Sequence, residues 1–282
     1  MAEEMKGKTV VITGASSGIG FEASIALAKM GAKVIMVARN PKLGQDALSL
    51  VKEKSSNSDV ELMLCDFSSL ANIRKLAGEI IDKCPRLDVL VNNAGKTFGT
   101  RSVTADGFEW TFGVNHLAPF LLTNLLLALL KKSAPARIVN TASHGHAFGH
   151  INFEDIMAEK KYGEMTAYAQ SKLANVLFSA ELSKRLAGIG VTSNSLHPGV
   201  VGTHFAEAGG TLSKLFYRWF KFMMKTPAEG AKTTVYLASS PDVEGVSGKY
   251  FSNCKAVMPS KEAQDDSVAK RLWELSEKLT GI

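Results

Sequence analysis

Tyr168 and Lys172 stand four residues apart in the segment YAQSK, within a stretch of helix-forming composition. At that spacing two side chains share one face of a helix and can act on a single ligand. A free phenol ionises near pH ~10 and is a poor base at neutral pH, but an adjacent ammonium and the positive ring of an oxidised hydride carrier both favour the phenolate and bring it into the working range. The pair therefore reads as an acid/base device, with Tyr168 handling the proton. Ser143 follows the apolar run that ends at Ala142. A hydroxyl at the carboxyl end of a strand can hold an oxygen while charge builds on it. Proton plus oxygen-holding hydroxyl is the equipment for reducing a carbonyl, or for oxidising an alcohol by the same steps in reverse.

Such a reaction also needs a hydride, and TGASSGIG at 13–20 says where its carrier would bind. Gly14, Gly18 and Gly20 follow directly on Val10, Val11 and Ile12. Glycine lets a phosphate come close to the backbone, and the aligned dipoles of a following helix favour its charge. A plain strand-to-helix turn can be equally rich in glycine, so the spacing GxxxGxG carries the information. At the end of the second strand a carboxylate would bind the 2′-hydroxyl of NAD, whereas arginine accommodates a 2′-phosphate. The chain reads Ala38-Arg39-Asn40 there, which favours NADP(H) over NAD, although Ser17 in the turn is neutral.

These groups need a frame. Apolar runs near 8–13, 33–38, 60–65, 87–91, 136–142, 191–197 and 248–252 alternate with helix-length amphipathic segments. Strand and helix in alternation predict an α/β fold, a single Rossmann-type doubly wound domain over 1–282 with about seven parallel strands and helices on both faces. Runs such as Val34-Ile35-Met36-Val37 fit strands buried on both sides. Long connections at 92–104, 143–162 and 198–226 begin at strand carboxyl ends, where doubly wound sheets bind ligands.

The motifs, taken in order, resemble the classical short-chain dehydrogenase/reductase family over almost the whole chain. They are TGASSGIG, Asp66 after the third strand, NNAG at 92–95, Asn115, Ser143, YAQSK and PGVVGT at 198–203. The resemblance implies a catalytic set of Asn115, Ser143, Tyr168 and Lys172, in which Lys172 also holds the ribose hydroxyls and Asn115 binds a water leading to solvent. It implies that Asp66 holds the adenine ring, Asn93 the ribose side and Thr203 the nicotinamide carboxamide. Ser16, Ser17, Ile19, Arg39, Asn40, Ala94, Gly95, Pro198, Gly199 and Val201 complete the implied cofactor contacts. The stretches GFEWTFGVNHLAPFLLTNLLL, RIVNTASHGH and SNSLHPGVVGT look like the retinol dehydrogenase branch, whose members reduce retinal and other apolar carbonyls with NADP(H). The family also implies a homodimer through helices spanning about 107–131 and 163–187, although core packing would require their apolar residues in any case. A non-catalytic NADP(H)-binding redox sensor on the same fold is the alternative, and one that usually lacks the tyrosine or lysine. A sugar-nucleotide epimerase would carry a different glycine turn and a larger C-terminal domain.

The formal charge is +6, but Lys214, Arg218, Lys221 and Lys225 account for four of those charges within one segment, which is not a nucleic-acid face. In that segment Leu212, Leu215, Phe216, Trp219, Phe220 and Met223 form a helical stripe opposite the cations. It reads either as a lid over about 204–226, with Phe205, Phe216 and Trp219 against a lipophilic substrate, or as a membrane-surface helix over 211–225. Leu117–Leu130 is too short and too interrupted to span a bilayer and reads as a buried helix. Three dispersed cysteines and an acidic start without an apolar leader lead to the expectation of a reducing, cytoplasmic location, peripheral at a membrane if 211–225 touches one. His144, His146 and His150 lack a carboxylate or cysteine at ligand spacing, so the expectation is no metal, with His144 lining the substrate cleft.

Overall fold

The computed structural model describes residues 4–199 and 225–282. Val201, Thr203, Phe205, Phe216, Trp219 and nearly all of the expected lid lie outside the described residues.

The chain opens with β1 (Thr9–Thr13), whose five residues TVVIT are all buried. It continues through α1 (Gly18–Lys29), β2 (Lys33–Ala38), α2 (Pro41–Ser55), β3 (Val60–Leu64), α3 (Leu70–Lys83) and β4 (Val89–Asn92). A short helical turn, α4 (Trp110–Phe112), runs through a π turn at Gly113–Leu117 into α5 (Ala118–Lys132). Then come β5 (Ala136–Thr141), a 3-10 turn at His144–Phe148, α6 (Glu164–Arg185), β6 (Val191–His197), α7 (Pro227–Ser239), β7 (Tyr250–Ser252), β8 (Lys255–Val257) and α8 (Asp266–Thr280). Strand order is β3-β2-β1-β4-β5-β6-β7-β8. The chain leaves β1 in one direction and restarts at β4 on its other side, so the switch point, where such sheets bind ligands, lies between the carboxyl ends of β1 and β4.

The seven expected strands are parallel, and the sheet has an eighth. β8 pairs antiparallel with β7, joined by Asn253 and Cys254, both at positive φ (52° and 59°). A two-residue turn of that kind matches strand twist and favours asparagine followed by glycine. Cysteine in the second place hides the hairpin from sequence.

Alternation along the strands splits the core. Val11, Ile35, Leu90 and Ile138 face α3, α5 and α6, while Val10, Ile12, Met36 and Val139 face α1 and α7. The apolar stretch at 117–130 is the buried helix expected, with Pro119 in the first turn of α5, where its missing N–H is not needed. α8 is held at its start by Asp265, whose Oδ1 accepts from Ser267 N (2.9 Å), and it packs against α6. Its Trp273 ring sits 4.9 Å from Phe120 of α5 and 5.8 Å from Phe178 of α6. Part of the helical surface expected to pair with a second copy is thus occupied by the chain's own C-terminal helix.

Candidate active site

At the β1 turn the backbone itself makes the site. Gly14 and Gly18 adopt positive φ (66° and 59°). A Cβ on Gly14 would lie 2.9 Å from Ala94 Cα, and one on Gly20 would lie 2.6 Å from Asn93 Nδ2 and closer still to the Gly14 carbonyl oxygen. Glycine is therefore needed for α1 to rest on the turn and for the turn to rest on the loop after β4. Thr13, which sequence reasoning did not single out, fastens that loop: its Oγ1 accepts from Asn93 N (2.9 Å) and Ala94 N (3.0 Å). Asn93 donates from Nδ2 to Thr13 O (2.9 Å), so its carboxamide braces the turn. Ser17 is the N-cap of α1 with no side-chain cap bond, and the first turn carries no acid. Its free N–H groups and the helix dipole favour an anion there.

Arg39 and Asn40 are exposed at the end of β2, and Asn40 Oδ1 caps α2 by accepting from Leu43 N (3.0 Å). Asp66 Oδ1 accepts from Ser68 N (3.0 Å) and Ser68 Oγ (2.8 Å), shaping the turn after β3.

The four residues of the expected catalytic set converge. The π turn carries Asn115 fully buried against α6, where Nδ2 donates to Ser171 Oγ (3.0 Å) and Oδ1 accepts from Lys96 N (2.9 Å). Such single π turns are frequent at functional sites. Lys172 Nζ donates to Thr141 O (3.0 Å) and lies 5.7 Å from the Tyr168 ring centre. A Cβ on Gly95 would stand 3.0 Å from Asn115 Oδ1 and 3.5 Å from Lys172 Nζ, so glycine lets the loop after β4 rest closely against both. Tyr168 is hydrogen-bonded to Ser143, and Gly145 sits beside both, its missing Cβ 3.3 Å from Tyr168 Cε1 and 3.4 Å from Ser143 Oγ.

The chain's own groups do not lower the tyrosine. Burial pushes its phenol above the ordinary value, and the Ser143 bond offsets this only in part. Burial also brings Lys172 down to about 8, so the lysine is only partly charged in mildly alkaline solution. Among the chain's own groups, then, the ammonium does not set the ionisation of Tyr168.

The three loop histidines part company. His146 is buried; its Nε2 accepts from Ser260 N (3.1 Å), so Nδ1 carries the proton and donates to Ser143 O (2.7 Å). Its role is to fix the loop under Ser143. His150 Nδ1 meets Glu262 (3.0 Å). His144 is exposed above the site, its N–H donating to His197 Nδ1 (3.1 Å) and its ring 4.0 Å from the His197 ring. Burial, with His144 and Lys225 nearby, takes His197 down to about 3, so it accepts as a neutral ring. No cluster of three metal ligands forms among the described residues.

Beside this cluster the two long loops are zipped together. Arg101 Nε donates to Met157 O (3.0 Å), Tyr162 Oη donates to Phe98 O (2.5 Å), and Phe98 lies edge-on to Trp110 at 4.2 Å. These aromatics were not anticipated as a unit, since the loops carry no periodic signal. Of the PGVVGT segment, Pro198 and Gly199 are described, Gly199 at φ +98° beneath the Lys225 side chain. A groove of about 1010 Å³ opens at the other end of the strands, lined by Met5, Asp88, Arg137 and Lys184, remote from these groups.

A glycine turn and a Ser-Tyr-Lys cluster at the switch point of this sheet define a class. Residues 8–211 match the model of the short chain dehydrogenase family, and the chain belongs to that family as an oxidoreductase acting on CH–OH groups. Within it the chain is similar to retinol dehydrogenase 14 of Mus musculus, 46% identical over 99% of this chain and 87% of the relative. It is similar to retinol dehydrogenase 12 of Homo sapiens, 45% identical over 99% and 88%. Among solved structures it resembles an uncharacterized protein from Mycobacterium paratuberculosis (TM-score 0.79, 35% identity, 98% and 94% of the two chains). It also resembles the Pseudomonas aeruginosa RhlG/NADP active-site complex (TM-score 0.72, 25% identity, 95% and 99%).

Proposed function

We propose that this chain is an NADP(H)-dependent oxidoreductase for a bulky apolar aldehyde or ketone, or the corresponding alcohol, with a retinoid-like substrate as the leading class. The convergence of Ser143, Tyr168, Lys172 and Asn115 beside a glycine turn at the switch point carries this reading. The residues fit a dinucleotide: the start of α1, with no side-chain cap and no acid in its first turn, suits phosphate, and Gly95 brings the loop after β4 against Lys172 and Asn115. Arg39 stands where a carboxylate would select NAD, which supports the 2′-phosphate form. RhlG, a structural neighbour, was solved with NADP, and the names of the similar dehydrogenases support a lipophilic alcohol or aldehyde.

The cofactor supplies or accepts hydride at the nicotinamide. Gly14, Ser16, Ser17, Gly18, Ile19 and Gly20 hold its phosphates, Arg39 and Asn40 the adenosine ribose, Asp66 the adenine side, and Asn93, Ala94 and Gly95 the middle of the molecule. Ser143 orients the reacting oxygen, and Tyr168 delivers or removes its proton. Burial keeps the Tyr168 proton in place until a charge develops beside it. Lys172, fixed on Thr141 O, presents its ammonium to the ribose and to Tyr168. His144, exposed at the mouth, borders the substrate. The location proposed is cytoplasmic, with residues 211–225 closing over the substrate or touching a membrane surface.

The test is consumption of NADPH and NADH against retinal, medium-chain aldehydes, steroid ketones and quinones. Preference for NADPH with an apolar carbonyl supports the proposal. Tight NADPH binding without turnover of any member overturns it in favour of the sensor.

A further inference from the structure

Behind Lys172 lies a second polar group that the reaction scheme does not use. The Thr141 carbonyl that accepts from Lys172 Nζ also accepts from Asn175 Nδ2 (3.3 Å), three residues further along α6. Asn175 is buried, and its Oδ1 has no hydrogen-bond partner. Beside it, within hydrogen-bonding reach, stands His116, the residue after Asn115 in the π turn, 1% exposed, whose Nδ1 likewise has no well-formed bond. The other ring nitrogen, Nε2, meets Ser276 Oγ of α8 at 2.9 Å.

One proton decides the arrangement. Ser276 Oγ can donate either to Leu272 O (2.8 Å) or to His116 Nε2, not to both. With the proton on Leu272 O, Nε2 must carry the ring proton, and two buried lone pairs, His116 Nδ1 and Asn175 Oδ1, are left facing one another. With it on Nε2, the imidazole is the Nδ1–H tautomer and can satisfy Asn175. Leu272 O loses nothing essential, since it already has the helical bond. Unsatisfied buried polar atoms are costly, which favours the second arrangement.

We propose that His116 and Asn175 are positioning residues for Lys172. The His116 Nδ1–H, directly or through one buried water, holds the Asn175 carboxamide so that Nδ2 occupies one lone pair of Thr141 O. The Lys172 ammonium is thereby confined to the other lone pair, facing Gly95 and Tyr168. The C-terminal helix, through Ser276, sets the tautomer. This inference rests on the assignment of Lys172 to the active site.

The test combines His116→Phe, Asn175→Ala and the conservative His116→Asn, which keeps an N–H donor at the position of Nδ1, with Lys172→Ala alone and together with Asn175→Ala. For His116→Phe and Asn175→Ala we expect kcat to fall about ten- to a hundredfold, the scale of a small misplacement of a reacting group. KM for the carbonyl substrate should stay within about twofold and His116→Asn should recover most of the rate. In the Lys172→Ala background Asn175→Ala should add no further loss. An unchanged kcat, or the same factor lost in both backgrounds, overturns the proposal, as does a rise of KM together with a fall of melting temperature and no rescue. Full activity of Lys172→Ala itself would instead overturn the assignment on which it rests.

Discussion

On the β1 side of the cleft the backbone does the positioning: glycines at 14 and 20 leave no space for a Cβ, and Thr13 and Asn93 tie strand ends to loop amides. Across the cleft, side chains position other side chains: Asn115 on Ser171, Lys172 and Asn175 on Thr141 O, His116 on Ser276, and His146 between Ser143 and Ser260. The difference follows from what each side must do. A phosphate is recognised by N–H groups of any residue type, so chain path alone suffices there. A proton must move at one oxygen, so individual side chains need fixed tautomers and directions.

The largest effect that sharpens this contrast is expected at the turn. Gly20→Ala places a Cβ 2.6 Å from Asn93 Nδ2, and either the turn or the loop after β4 must move. Overpacking of this kind costs about 2–3 kcal/mol. Melting temperature should fall, and NADPH affinity should drop at least thirtyfold, roughly the same energy expressed as binding; calorimetric titration reads it.

The opposite side should betray itself through pH. Burial holds His116 down to about 4 from the ordinary 6.5. The unfolded chain binds the proton more readily, so stability is fully present above about pH 6.5 and is lost as pH falls toward 4. By pH 5 the loss from His116 is on the order of 2 kcal/mol. His197, held down to about 3, adds to it in the same direction. Thermal melts from pH 7.5 to 5 should show the decline, and His116→Gln should make it shallower, leaving the part that His197 contributes. A pH-independent melting temperature would mean these rings are not buried neutral.

A smaller effect is expected at the rim. Arg39→Asp should lower kcat/KM for NADPH about tenfold and raise it for NADH, a change of about 1.4 kcal/mol. Steady-state comparison of the two cofactors checks it, and an unchanged ratio removes Arg39 from cofactor selection.

The same contrast explains what could be read from the sequence. Seven strands, the glycine turn and the Tyr-Lys pair were legible because they rest on local spacing and apolar runs, features within a few residues of one another. The carboxamide network was not, because Asn115 meets Ser171 across 56 positions and His116 meets Ser276 across 160. Burial of Tyr168, which raises its phenol, was equally hidden. The β7–β8 hairpin escaped because Cys254 sits where glycine is usual.

The central claim is that Tyr168, held by Ser143 beside Lys172, moves the proton while the glycine turn holds the dinucleotide independently. Tyr168→Phe tests it most directly, with turnover and NADPH binding measured on the same preparation. The expected result is a fall in kcat of about a thousandfold or more, within the range of general acid–base catalysis, with NADPH affinity and melting temperature unchanged. A variant that keeps more than a tenth of the wild-type rate would contradict it.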